Sequence, residues 1–132
     1  MTTAIDSSVL LDIFSDRSTY AEPSERAANL ARDRGKVVAC AVAWAEAATR
    51  FSDMAKFRAA MASLRIDFDP FDAASAELAS QIWNQYRSAG GAREHMIPDF
   101  LIGAHALVRA DALLTRDAGF FRAYFRGLRV IY

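Results

Sequence analysis

Four acidic residues in this chain stand where a carboxylate is hard to explain as ordinary surface charge. Asp6 follows the short β-prone run Thr2 to Ile5. Glu46 is the only polar residue in VVACAVAWAEAA. Asp99 comes just after a proline suited to open a helix, and Asp117 comes just after the short apolar run that ends at Thr115. Each has a plain reading when taken alone: Asp99 complements a helix dipole, Asp117 caps the helix after it, and Glu46 pairs with Arg50 one helical turn on. Taken together they suggest different chemistry. Two carboxylates ~4 Å apart repel by roughly 4 kcal/mol at an effective dielectric of 20, so four of them in one pocket demand a cation. The only lysines are Lys36 and Lys56, and neither lies near any of the four in sequence. A set of hard oxygen ligands suits Mg²⁺ or Mn²⁺ rather than zinc. Such an ion holds a phosphate, lowers the pKa of an attacking water and neutralises a leaving oxygen, which is the chemistry of phosphodiester hydrolysis.

The elements that would bring these acids together can be read from the hydrophobic pattern. After the first strand, Asp6-Ser7-Ser8 supplies helix-start chemistry, and Val9, Leu10, Ile13 and Phe14 give a helical stripe that leaves Asp12 facing away as a solvated charge. A polar loop from Ser15 to Glu22 leads to Pro23-Ser24. The helix that follows carries Ala27, Ala28, Leu30 and Ala31 and is stopped by Gly35. Lys36 to Ala41 is the second strand. A carboxylate set among Ala43, Trp44, Ala45, Ala47 and Ala48 is costly to bury unpaired, and the small alanines allow a ligand to approach Glu46. Asp53 caps a helix striped with Met54, Phe57, Met61 and Leu64, which with Phe51 forms either core or a soft partner surface. Ile66 to Phe68 is an edge-like strand, and Asp72 caps a long helix through Leu78, Ile82, Trp83 and Tyr86 to Gly90-Gly91.

Pro98 fits the first position of a helix running to about Ala110, with Phe100, Leu101, Ile102, Ala104, Leu107 and Val108 making it apolar nearly all round. Ala112 to Thr115 reads as a strand. A last helix through Phe120, Phe121, Tyr124 and Phe125 precedes a closing strand, Arg129 to Tyr132. Strand and helix in near alternation imply an α/β sandwich with a mainly parallel sheet, and ligands in such folds bind beyond the carboxyl ends of the strands. All four acids fall at that edge.

Composition sets the outer bounds. The 132 residues allow one domain spanning 1–132, with enough chain for a real core. At 53% hydrophobic and 24% charged, with no long uncharged apolar run, a soluble protein without a membrane span is expected. The opening MTTAIDSS lacks the basic-then-apolar pattern of a signal peptide, so a cytoplasmic location is expected. Cys40, the single cysteine, sits in an apolar run and excludes both an internal disulfide and a cysteine-based zinc site. His95 and His105 lack a second ligand at metal spacing, and His105 reads as a core or rim residue. The net charge of zero argues against wholesale coating of a nucleic-acid duplex. Residues 87–132, however, hold seven arginines against four acids, so neutralising Asp99 and Asp117 with a metal would leave that third distinctly cationic.

The segments AIDSSVLLDIF, AWAEAATRF, IPDFLIGAHAL and LLTRDAGFF resemble the PIN-domain family, and within it the VapC toxins of bacterial toxin–antitoxin pairs. The likeness covers essentially the whole chain. It implies a three-layer α/β/α sandwich around a five-stranded parallel sheet and a Mg²⁺- or Mn²⁺-dependent endoribonuclease. The implied substrates are structured RNAs such as tRNA or rRNA, and the implied partners a second copy of the chain and a cognate antitoxin that docks beside the active site. It makes Asp6, Glu46, Asp99 and Asp117 the metal-binding and catalytic acids. Ser7 and Thr115 take assisting positions, Ser7 alternatively capping its helix, and Arg93 and Arg116 are candidates for phosphate contact or, alternatively, solvated surface arginines. Two other readings keep the fold class: a receiver-type signalling domain, which would need a lysine near a strand-ending phosphoacceptor that this chain lacks, and a module that binds metal without turnover.

Overall fold

A computed structural model describes residues 1–92 and 97–132. The chain runs β1 (Thr2–Ile5), α1 (Ser7–Ile13), α2 (Ala21–Arg34), β2 (Lys36–Cys40), α3 (Ala41–Ala48), α4 (Met54–Ser63) and β3 (Ile66–Asp69). It continues with α5 (Ala73–Ser88), α6 (Ile97–Arg109), β4 (Ala112–Leu114), α7 (Ala118–Tyr124) and β5 (Val130–Ile131). The five strands form one sheet in the order β3-β2-β1-β4-β5. Every pairing is parallel, with Ala4 opposite Val38 and Leu113, and Cys40 opposite Asp69. The expected three-layer α/β/α sandwich with a five-stranded parallel sheet is the architecture found.

The strand order determines where a ligand can sit. From β1 the chain steps outward through β2 to β3, then crosses back over β1 to lay down β4 and β5 on its other side. Right-handed crossovers therefore place the helices of the outward and return journeys on opposite faces of the sheet. In open α/β sheets with such a reversal of strand order, the ligand crevice falls beyond the carboxyl ends of the two strands at the switch point, here β1 and β4. Asp6 is the residue after β1, and Thr115 is the residue after β4.

The β1 segment TTAI and the β2 segment KVVAC are buried along nearly their whole length, as both-face-covered parallel strands must be. On the α6 side the core is aromatic. Phe100, Phe120, Phe121 and Phe125 pack together with Tyr86, the Phe100–Phe120 ring centroids lying 5.3 Å apart. Gly103 allows α6 to approach this cluster, because a Cβ there would lie 2.4 Å from Phe125 Cζ. Gly35 ends α2 at φ 151°, as its position in the sequence predicts. Asp53 and Asp72 accept hydrogen bonds from Ala55 N at 2.9 Å and Ser75 N at 2.8 Å, so both caps form as expected. Phe57 and Met61 of the α4 stripe are core residues, whereas Met54 is exposed. Cys40 is a buried free thiol.

Two expectations need correction. The loop expected to run to Glu22 ends earlier, at Tyr20, because Pro23 lies in the first turn of α2, where its missing N–H leaves no helical hydrogen bond unmade. Asp12 is not a solvated charge. Its side chain is 7% exposed, because α1 packs between α2 and α3 and the Asp12 carboxylate is covered by Ser18, Ser24 and Arg116. Among the described residues no helix is long and apolar enough to cross a membrane.

Candidate active site

The site is built outward from Asp6. Its backbone continues β1 for one further step, Asp6 N donating to Leu114 O at 2.9 Å, while its carbonyl accepts from Val9 N and opens α1. A residue in this N-cap position usually turns its carboxylate onto the helix amides. Asp6 does not. Its Oδ2 accepts from Thr115 Oγ1 at 2.7 Å and from Ser8 Oγ at 2.8 Å, and its Oδ1 lies 3.4 Å from Ser7 Oγ. The carboxylate is thus held over the crevice between β1 and β4. Burial raises its pKa against the lowering effect of the Thr115 and Ser8 hydrogen bonds, and the charge of Asp99 adds to the rise.

Glu46 reaches the same place from α3. Ser7 Oγ lies 3.1 Å from Glu46 Oε1, and among the described residues Glu46 forms no ion pair with Arg50. Burial pushes the Glu46 carboxyl up, and the negative charges of Asp6 and Asp99 push it further, against the hydrogen bond from Ser7. A serine hydroxyl has a single proton to donate. Ser7 therefore satisfies one of its two carboxylates at a time, the shorter distance favouring Glu46, and Asp6 Oδ1 is left facing a second negative group. Asp99 lies in the first turn of α6, where the helix dipole favours an anion, near enough for its charge to act on both.

Asp117 joins through the backbone. It precedes α7 without capping it by its side chain, and its N–H donates to Thr115 Oγ1 at 2.9 Å. The Thr115 hydroxyl, completely buried, accepts from Asp117 and donates to Asp6, so its rotor is fixed. The Asp117 side chain lines an open cavity of about 460 Å³ with Tyr86, Gly91, Phe120 and Tyr124. Arg116, expected as a phosphate contact, directs Nε and Nη2 to Asp12, the latter at 3.1 Å, and stacks its guanidinium 4.0 Å from the centroid of the Tyr20 ring. The Asp12 carboxylate raises the Arg116 pKa. Arg93, the other arginine expected to contact phosphate, lies outside the described residues, as does His95.

Sequence reasoning missed Ser8, which holds Asp6 from two residues away, and Asp12. The available signal for Asp12 was its place as the only charge in SSVLLDIF, a run too apolar for a helix with one wet face. It also missed a second cluster, in which buried His105 Nε2 lies 2.7 Å from Asp69 Oδ2 while Arg109 Nε donates to the same oxygen at 2.6 Å. Among the described residues, no three His, Cys, Asp or Glu side chains stand as a group that could hold a metal ion in their present positions. The donor chemistry nonetheless fits a hard divalent cation: the Asp6 and Glu46 oxygens share one hydroxyl proton, and the charge of Asp99 raises the pKa of both.

An all-parallel sheet with carboxylates gathered over its switch point defines a class of α/β domains that act at the carboxyl ends of their strands. Within that class the chain belongs to the PIN-domain family, whose model matches residues 3–126. No curated protein sequence matches the chain significantly. Its fold is similar to that of VapBC2 from Rickettsia felis bound to a DNA fragment from its promoter, at TM-score 0.75 and 14% identity over 99% of this chain and 98% of that one. It is also similar to a toxin–antitoxin complex from Klebsiella pneumoniae, at TM-score 0.64 and 21% identity over 98% and 96%. A third likeness is to the sarcin–ricin-loop-cleaving toxin VapC20 of Mycobacterium tuberculosis, at TM-score 0.62 and 18% identity over 96% and 98%. At these identities the likeness establishes the fold.

Proposed function

We propose that the chain is a Mg²⁺- or Mn²⁺-dependent endoribonuclease, a VapC-like toxin that hydrolyses phosphodiester bonds in structured RNA of the tRNA or rRNA class. One observation carries the reading: Asp6 and Glu46, forty residues apart in sequence, share the Ser7 hydroxyl at the switch point, under the charge of Asp99. Asp6, Glu46 and Asp99 would hold the ion, with Asp117 completing the site or serving a second one. When bound, such an ion polarises a phosphoryl oxygen and makes water a competent nucleophile near neutral pH.

The chain's own residues supply orientation. Thr115 and Ser8 hold Asp6 Oδ2 from two sides, and Ser7 links Asp6 Oδ1 to Glu46. Membership of the PIN family supports the class of activity, and the likeness to toxin–antitoxin structures supports an antitoxin partner; pairing with a second copy of the chain is part of the proposal. The test is cleavage of RNA by purified protein with and without Mn²⁺. Asp99→Asn should abolish cleavage while the thermal unfolding transition stays cooperative, and undiminished cleavage by that variant overturns the assignment.

A second reading, a PIN domain that binds without turnover, draws on one fact: among the described residues no ready-made group for an ion is present. A wild type that binds Mn²⁺ and leaves RNA intact would favour it.

A further inference from the structure

Outside the four acids, the most fully satisfied charge in the described structure is one that the proposed chemistry does not use. Asp12 is buried near the end of α1 and accepts from two serines and an arginine. Oδ1 takes Ser18 Oγ at 3.0 Å and Arg116 Nη2 at 3.1 Å, and Oδ2 takes Ser24 Oγ at 2.8 Å and Arg116 Nε. Because Ser24 gives its proton to this carboxylate, the Tyr132 hydroxyl, 3.1 Å away, donates to Ser24. The Tyr20 ring covers the guanidinium of Arg116. Arg116 is thereby fixed by a two-point fork and an aromatic face, a geometry that lysine cannot reproduce.

Arg116 leads directly to the site. It lies between Thr115 and Asp117, and its own amide donates to Ser8 Oγ at 3.2 Å. Ser8 in turn donates to Asp6 Oδ2, the oxygen that Thr115 also holds. Both hydrogen bonds that orient Asp6 Oδ2 thus come from, or lean on, the segment that Asp12 clamps. We infer that Asp12 is a positioning residue: by clamping Arg116 it fixes the turn after β4, and through Ser8 and Thr115 it fixes the direction in which the Asp6 carboxylate points. This rests on the reading of Asp6 as a metal-binding acid. It adds that a residue touching neither metal nor substrate sets the geometry of that acid.

The test compares wild type, Asp12→Asn, Arg116→Lys and Ser24→Ala by amide hydrogen exchange and by Mn²⁺ titration of the purified protein. Arg116→Lys keeps the buried charge paired and serves if Asp12→Asn does not fold. Ser24→Ala removes another partner of Asp12 while leaving the fork intact. Asp12→Asn and Arg116→Lys should speed exchange at the Arg116 and Asp117 amides at least tenfold and weaken Mn²⁺ binding about tenfold, the usual scale for partners that orient a metal ligand. Ser24→Ala should lower the melting temperature and change neither. Unchanged exchange at those amides, or faster exchange with wild-type Mn²⁺ affinity, overturns the proposal. A wild type that binds no Mn²⁺ while the two amides still loosen leaves the clamp standing and removes the metal-centre reading instead.

Discussion

The Thr115 hydroxyl bridges the carboxyl ends of two strands: it donates to Asp6 Oδ2 at 2.7 Å and accepts from the amide of Asp117 at 2.9 Å. Thr115→Val keeps the shape and removes both bonds, leaving a buried carboxylate short of a donor and an amide without its acceptor. The cost should be about 1–3 kcal/mol, read as a lower urea midpoint with unchanged slope. A variant as stable as wild type would mean that water replaces the hydroxyl and that Thr115 does not anchor Asp6.

Asp6→Asn should stabilise the protein when no divalent ion is present. Burial raises the Asp6 pKa above its ordinary value of 3.8. Such a group costs nothing below that pH, where folded and unfolded chains both carry the proton. It destabilises the fold progressively as pH rises toward the folded value, and by a constant amount beyond it. An asparagine fits every partner: its oxygen accepts from Thr115 and Ser8, and its amide donates to Ser7, freeing the Ser7 proton for Glu46. The gain at neutral pH should be on the order of 1 kcal/mol. Mn²⁺ that raises the melting temperature of wild type should leave this variant unmoved. A lower melting temperature in metal-free Asp6→Asn contradicts the argument.

These side chains also mark how far the sequence could be read. Strand–helix alternation and residues such as Gly35, Asp53 and Asp72 act locally, through backbone angles and caps, so the element order and the placing of Asp6, Glu46 and Asp99 at one edge follow from pattern alone. Asp12 and Ser8 were not legible, because their roles depend on what lies across space. The period of a seven-residue helix does not tell a wet face from a covered one, and the apolar run around Asp12 hints at burial without saying what covers it. The packing of α2, which brings Ser24, and the return of the chain at Arg116 together turn Asp12 from a surface charge into a buried one. Asp117 was ambiguous for a related reason, since the sequence does not say whether a helix-start acid turns its carboxylate onto the helix amides, and here it does not.

Gly103→Ala pits two effects against each other. Replacing a mid-helix glycine gains about 1 kcal/mol of helix propensity. The new methyl would sit 2.4 Å from Phe125 Cζ, and that ring is locked among Phe100, Phe120 and Phe121, so either the ring or α6 must shift. Overpacking of this kind costs about 1–3 kcal/mol, so the net change should be destabilising by roughly 1 kcal/mol. Because α6 carries Asp99, the same shift should weaken Mn²⁺ binding. A more stable Gly103→Ala would mean that the aromatic cluster has slack the packing does not suggest.

Acid stability should depend on the second cluster. Arg109 donates to both oxygens of Asp69, Nε at 2.6 Å and Nη2 at 3.2 Å, and with His105 also within hydrogen-bond distance it holds the carboxyl of Asp69 at about 2 against an ordinary 3.8. A depressed carboxyl contributes its full stabilisation above pH 3.8. It loses that contribution as pH falls through about 2, where the folded state too must take up the proton. Asp69 is 20% exposed and Arg109 34%, so solvent screening reduces the effect to on the order of 1 kcal/mol. Asp69→Asn should therefore lower the urea midpoint at pH 5 and converge with wild type near pH 2. His105 adds a reason for the loss at pH 5 to exceed that of an ordinary surface pair. Its ring is buried and, among the described residues, Nδ1 has no hydrogen-bond partner and Asp69 is the polar group that meets the imidazole. His105→Phe, which edge-packs Phe71 without needing Asp69, should recover part of what Asp69→Asn loses when the two are combined. Simple additivity in that double-mutant cycle would show that the histidine and the aspartate contribute independently.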